Sequence, residues 1–291
     1  MPASGILLLV SLTILWGLNW PAMKLALSEI PPWSFRTMCL LGGGLILLSL
    51  TAAQGERVRF ELRILPTLML VSVFNITAWH LLTAYGLLHT SSGRAAIIGY
   101  TMPLWASVLS VLVLKVRIGA REVAALGLGM AALALLVAED LRTIGTSPLG
   151  PLLIGLAALG WGLGTVLIKR FAPWPMPVMA LTGWQQLIGA IPIVIGWWLL
   201  EPVPDLGAVS PWAIGGLIYA VTVAMVFCHT AYFKLVELLP AHVAAISTLA
   251  IPAVGVISGA LILGERVGGA EIGALLLVIG GLFLLLRPGP R

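Results

Sequence analysis

The sequence predicts an all-α integral membrane protein, with ten transmembrane helices arranged as two inverted five-helix repeats. Three observations carry this reading. Apolar residues make up 60% of the chain and charged residues 9%, with a mean hydropathy of +1.08, far outside the soluble range. The apolar residues fall into ten runs, each near the roughly 20 residues that a spanning helix needs. Finally, the segments beginning near residues 91 and 240 align without a gap at a shift of 149. Ala95-Ala96-Ile97 then falls on Ala244-Ala245-Ile246, Pro103 on Pro252, and Arg117-x-Gly119-x-x-Glu122 on Arg266-x-Gly268-x-x-Glu271.

Span 1 (5–27) carries Trp16, Asn19, Trp20 and Pro21 within its apolar run. No basic segment precedes it, so it reads as a span and not as a cleaved signal sequence. Span 2 (32–53) holds Arg36 near one end and Cys39 inside. Span 3 (64–88) places Asn75 and Trp79 on one helix face, with His80 next in sequence. Span 4 (93–114) is interrupted by Pro103, which removes a backbone hydrogen bond and bends or breaks the helix. Span 5 (119–138) is a nearly featureless helix of small and aliphatic residues, suited to lipid and packing.

The second half answers the first. In span 6 (148–170), Trp161-Gly162-Leu163 with Lys169 repeats Trp16-Gly17-Leu18 with Lys24 at a shift of 145. Span 7 (177–200) carries Trp184 inside and Trp197 and Trp198 near its end. Span 8 (212–235) sets Thr230-Ala231-Tyr232 on Thr83-Ala84-Tyr85 at a shift of 147, and puts His229 and Tyr232 on one face. Span 9 (241–263) has Thr248 one turn before Pro252. Span 10 (268–286) is as plain as span 5, with Glu271 in its first turn, where the helix dipole favours an acid.

Little is left for a soluble domain, so residues 1–291 read as one membrane domain with repeats at about 1–140 and 146–291. Five spans per repeat is an odd number, which turns the second unit upside down relative to the first. With the N-terminus inside, eleven Lys and Arg fall on the cytoplasmic side against five outside. That bias places both termini on the cytoplasmic side of the cell inner (plasma) membrane. It also accounts for the net charge of +5, so no nucleic-acid partner is expected. Cys39 and Cys228 lie far apart inside spans, and no disulfide, metal or cofactor is expected from them.

The turn Leu263-Gly264-Glu265-Arg266, with Pro252 before it and a Gly-rich apolar helix after it, resembles the repeat signature of the drug/metabolite transporter superfamily. Within that superfamily the ten-span EamA-type exporters are the best fit, over essentially the whole chain. Trp16, Tyr100 ahead of Pro103, and Trp161 resemble the YddG-type aromatic amino-acid exporters. That resemblance implies export of aromatic and other neutral amino acids. The first repeat departs from the signature, with Lys115-Val116-Arg117 where the second has Gly264-Glu265-Arg266. Independently of any family, Gly264 suits the positive φ that ends a helix, and Gly268-Gly269 suits close backbone approach. Glu265 and Arg266 read as architecture.

Of the eleven tryptophans, Trp33, Trp174, Trp197, Trp198 and Trp212 fall at span ends, as in an aromatic belt. Trp16, Trp20, Trp79, Trp105, Trp161 and Trp184 lie inside spans, where the indole N–H needs a partner that lipid cannot supply. His80 and His229 sit deep in spans 3 and 8, where polar side chains face the bundle interior or a water-filled cavity. Helices interrupted at matching places in both halves point to a binding site. Tyr100 and Thr248, each a turn before a proline, add hydroxyls there. Taken together, the candidate substrate contacts are Trp16, Asn19, Trp20, Asn75, Trp79, His80, Tyr100, Pro103, Trp161, His229, Tyr232, Thr248 and Pro252. Spans 1, 3, 4, 6, 8 and 9 line the expected cavity, which is aromatic and free of buried fixed charge.

Transport of small neutral or zwitterionic solutes by alternating access is the function these features imply, with a metabolite or drug antiporter as the alternative. An intramembrane enzyme fits poorly, because Gly255-Val-Ile-Ser258-Gly259 misplaces the serine of a Gly-x-Ser-x-Gly elbow. The expected partners are a small-molecule substrate and the lipid bilayer. Gly160-x3-Gly164, Gly255-x3-Gly259 and Gly269-x3-Gly273 are explained by packing within one chain as well as by a dimer, so a monomer is the working expectation. All eleven acids map to loops or helix ends, which favours a facilitator over a proton-coupled carrier.

Overall fold

The computed structural model describes residues 3–115, 119–142, 148–232 and 250–286, and no strand occurs among them. Among the described residues eleven helices follow in order: α1 (Ala3–Leu27), α2 (Pro32–Ala53), α3 (Leu62–Leu88), α4 (Ser92–Gly99), α5 (Met102–Leu114), α6 (Ala120–Arg142), α7 (Leu149–Arg170), α8 (Val178–Leu200), α9 (Pro211–Tyr232), α10 (Ile251–Leu263) and α11 (Gly269–Leu286). With α4 and α5 taken as one broken span, eight segments are long and apolar enough to cross a membrane. α10 and α11 are shorter apolar helices at the expected ninth and tenth places. Leu7, Trp198, Leu200 and Leu261 are largely exposed, which suits contact with lipid and would be costly in water.

Proline and left-handed residues set the boundaries. α4 stops at Gly99, Tyr100-Thr101 forms a turn, and Pro103 sits in the first turn of α5, where its missing N–H costs nothing. Pro252 holds the same place in α10. Gly264 closes α10 at φ 65°, as its sequence suggests, and its N–H donates to Ala260 O. Lys115, its counterpart in the first half, closes α5 at φ 55° without being a glycine. α3 and α9 each contain a π-helical stretch, Val73–Ala78 and Ala220–Cys228, which start 147 residues apart.

α2 packs along α8, and α6 along α11. α1 lies against α9 and α10, while α7 lies against α3 and α5, and α4 against α10. The Trp-Gly-Leu echo has a steric cause in these contacts. A Cβ on Gly17 would stand 2.5 Å from the Val254 side chain of α10, and one on Gly162 would stand 2.9 Å from Ala106 N of α5. Each glycine therefore lets its helix press onto the segment that follows a proline break. Gly160 and Gly164 press onto α3, the latter where a Cβ would collide with the Asn75 side chain. Gly269 differs from expectation: nothing lies within 4 Å of its virtual Cβ, so it opens α11 without a close packing contact.

Candidate functional site

One end of the bundle is held by carboxylates at helix N-termini. Glu265 accepts from Ser92 N at 2.6 Å, Ser92 Oγ at 2.9 Å and Gly93 N at 3.0 Å, capping α4. Glu201 accepts from Trp33 N at 3.1 Å, Ser34 N at 2.9 Å and Ser34 Oγ at 2.8 Å, capping α2. Glu29 accepts from Ser210 N at 2.7 Å and from its hydroxyl, at the start of α9. These bonds from Ser210 hold the exposed Glu29 carboxyl below the usual carboxylate range. Arg94 and Glu271 form an ion pair at 2.5 Å, and Lys24 Nζ donates to Leu87 O and, at 2.7 Å, to Thr90 O. Five N–H groups at the starts of α2, α4 and α9 gain carboxylate acceptors this way, and the helix dipole adds to the attraction.

Deeper in the bundle, aromatic rings form two clusters. Trp79 lies between Trp20 and Trp161, with ring centroids at 6.4 and 5.1 Å, both edge-to-face. Trp16 meets His229 at 5.6 Å and Tyr232 at 5.9 Å. α1, α3, α7 and α9 thus each contribute candidate residues. Asn75 and Trp79 both face α7, as their spacing predicts, and His229 and Tyr232 both touch Trp16. Gly99, at the end of α4, presses on the ring of Trp20, with a virtual Cβ 2.8 Å from it. Tyr100 is 7% exposed at the break itself. Thr248 lies outside the described residues.

Polar satisfaction in this region is uneven. His229 Nδ1 is 3.0 Å from Ala224 O, inside the π-helical stretch of its own helix. Asn19 Oδ1, Asn75 Oδ1 and His80 Nδ1 are buried without a partner. Thr101 Oγ1 donates to Ile98 O at 2.6 Å. The hydroxyl that satisfies a carbonyl at the broken span is therefore that of Thr101, a residue the sequence reading passed over, although it stands directly before the Met-Pro start of α5. Trp184 departs from its expected interior role, because its Nε1 donates to Val58 O at 2.8 Å in the connection before α3. Among the belt candidates, Trp198 and Trp212 are exposed, while Trp33 and Trp174 turn inward to Tyr85 and Ile168.

The expectation of an interior without fixed charge is corrected by Arg36. Its place in the second turn of α2 suggests a rim residue, yet it is 1% exposed, enclosed by Met23, Phe35 and Thr83. An arginine inside an apolar run was the available signal, since charge within a span is functional by default. Among the described residues no cluster of His, Cys, Asp and Glu could hold a metal ion, and both cysteines are free and buried.

A near-continuous set of helices with an aromatic interior has counterparts elsewhere. The EamA-like transporter family matches twice, over residues 3–138 and 148–287. The uncharacterized transporter YoaV of Bacillus subtilis is 24% identical, over 95% of this chain and 94% of that protein. A probable amino-acid metabolite efflux pump of Escherichia coli is also 24% identical, over 96% of this chain and 93% of its own length. One solved crystal structure superposes with a TM-score of 0.65 at 19% identity, over 98% of this chain and 97% of that one, which speaks to fold alone. Matches of this extent make it a multi-pass membrane transporter, and the chain belongs to the EamA-like transporter family of the drug/metabolite transporter superfamily.

Proposed function

We propose that this protein carries small neutral or zwitterionic solutes, aromatic and other amino acids among them, out of the cell by alternating access between two inverted halves. The observation that carries the proposal is the helix pairing. Exchanging the halves turns the contact of α1 with α10 into that of α7 with α5, and the contact of α1 with α9 into that of α7 with α3. The α2–α8 and α6–α11 pairs map onto themselves. An approximate two-fold relation of this kind supports a path between the halves that opens to either side. The Trp16 and Trp79 clusters supply apolar surface and ring faces on which an ammonium can rest.

Export by facilitation is the form we favour, since no described carboxylate lies deep in a helix bundle where it could carry a coupling proton. Purified protein in liposomes, loaded with a panel of amino acids, tests this directly. Efflux down the solute gradient should persist with equal pH on both sides and the membrane potential clamped at zero. No flux for any amino acid would end the substrate reading. Accumulation driven by an imposed pH difference, and lost in His80→Ala or His229→Ala, would end the facilitator reading. A cysteine placed after Arg291 should resist an impermeant reagent in intact cells if the termini are cytoplasmic; labelling would reverse the orientation.

A further inference from the structure

Among the described residues Arg36 is the largest side chain enclosed by the protein. Its Nη2 donates to Thr83 Oγ1 of α3 at 2.9 Å and approaches Met23 Sδ of α1 at 3.3 Å. Nε and Nη1 have no partner, and no described carboxylate forms an ion pair with it. Two further buried polar atoms on the same helices lack hydrogen-bond partners: Thr37 Oγ1, on the residue after Arg36, and His80 Nδ1, one turn before Thr83 on α3. The Trp20–Trp79 contact begins beside His80.

A fixed charge removed from water and left without a counter-ion is strongly destabilising, more so inside a bilayer. The two partly buried cations near the same end both have acceptors: Lys24 donates to two carbonyls and Arg94 pairs with Glu271. A ligand that supplies the missing charge resolves the anomaly. One guanidinium, with no second arginine or lysine in contact, balances a monoanion and not a doubly charged phosphate. Resting on the solute reading above, we propose that Arg36 receives the carboxylate of the transported solute, with the rings of Trp20 and Trp79 beside its apolar part.

The competing role is a clamp that ties α1, α2 and α3 together through Met23 and Thr83. Melting of the purified protein with 3-phenylpropionate and with its neutral amide separates the two. The acid should raise the melting temperature of the wild type and the amide should not. In Arg36→Met the rise should vanish while the ligand-free melting temperature stays level or increases, because an unpaired buried charge has been removed. Arg36→Lys should keep part of the response. In liposomes, the preference for phenylalanine over its amide should fall about tenfold in Arg36→Met. An undiminished response to the acid in Arg36→Met overturns the proposal. So does a ligand-free loss of stability that Arg36→Lys restores, which is the behaviour of a clamp. Absence of amino-acid flux in the wild type, with the Arg36-dependent response to the acid intact, would refute the substrate reading and leave the carboxylate site standing.

Discussion

Arg94 and Arg36 are both arginines in the opening turns of apolar helices at the same end of the bundle, and the protein treats them in opposite ways. Arg94, at the start of α4, meets Glu271 at 2.5 Å, and that carboxylate also accepts from Gly268 N at 2.7 Å. Arg36, at the start of α2, has two of its three guanidinium nitrogens unpartnered and is the more deeply buried. The first is part of an end structure in which carboxylates and helix N-termini neutralise each other. The second stands where that neutralisation stops and the aromatic interior begins. The two thus differ in the partners around them, and on the proposal above that difference separates a structural charge from one that meets a ligand.

The contrast breaks most sharply under mutation of the paired groups. Arg94→Met should destabilise the protein by about 3 kcal/mol, because it leaves the Glu271 carboxylate buried without its cation. Glu265→Ala, which strips three donors of α4 of their acceptor, should cost about 2 kcal/mol. Denaturation of detergent-solubilised protein measures both, with Arg36→Met as the reference that loses no stability. Equal losses in all three would erase the distinction.

The interior should behave in the reverse sense. Trp16→Ala, Tyr100→Ala and Trp161→Ala should each lower solute flux about tenfold, equivalent to ~1.4 kcal/mol in the barrier, at equal amounts in the membrane. Arg94→Met and Glu265→Ala should keep flux per surviving molecule close to wild type. Wild-type flux in all three aromatic variants would remove the centre from the transport path.

Lys115 offers a smaller test, within the end turns themselves. It takes the left-handed conformation at φ 55° that Gly264 takes at φ 65°. A side chain there strains the backbone by about 1–2 kcal/mol, partly offset by the greater freedom glycine has when unfolded. Lys115→Gly should therefore stabilise by about 0.5–1 kcal/mol. A neutral or destabilising result would mean that the lysine side chain makes up the difference.

Much of this was legible in the sequence. The positions of the helices follow from hydropathy, and the break at Tyr100-Thr101 and the start of α10 at Ile251 follow from Pro103 and Pro252. Trp16 and Trp161 were legible because the Trp-Gly-Leu echo marks places where a side chain cannot be accommodated. Arg36 was hidden by its address: four residues into a span, linear distance says rim, and only the packing of α1 and α3 around it encloses the charge. The partners of Glu265 were hidden for a related reason. Its donors on α4 lie 172 and 173 residues away, and a contact of that separation leaves no local pattern. The same holds for the π-helical stretches, since Val73–Ala78 and Ala220–Cys228 carry neither proline nor glycine.

The smallest effect concerns Glu29, the most exposed of the capping carboxylates. It lies in the connection between α1 and α2 and accepts two hydrogen bonds from Ser210, whose own oxygen caps α9 by accepting from Ala213 N at 3.3 Å. Those bonds favour the ionised form and hold its carboxyl below the usual range. A carboxyl depressed in the folded state stabilises fully above its unfolded value, and that contribution disappears as pH falls through the depressed one. Glu29→Gln keeps the shape of the group, can still accept a hydrogen bond, and removes the charge. Melting temperatures of wild type and Glu29→Gln, followed from about pH 7 to about pH 3, should therefore differ most at neutral pH, with the variant lower. They should converge in acid, where protonated Glu29 and the glutamine amide are alike. Full exposure and salt screening keep the gap small, and added salt should narrow it. Curves that run parallel at every pH would mean that the Glu29 charge contributes nothing to holding α9 against the α1–α2 connection.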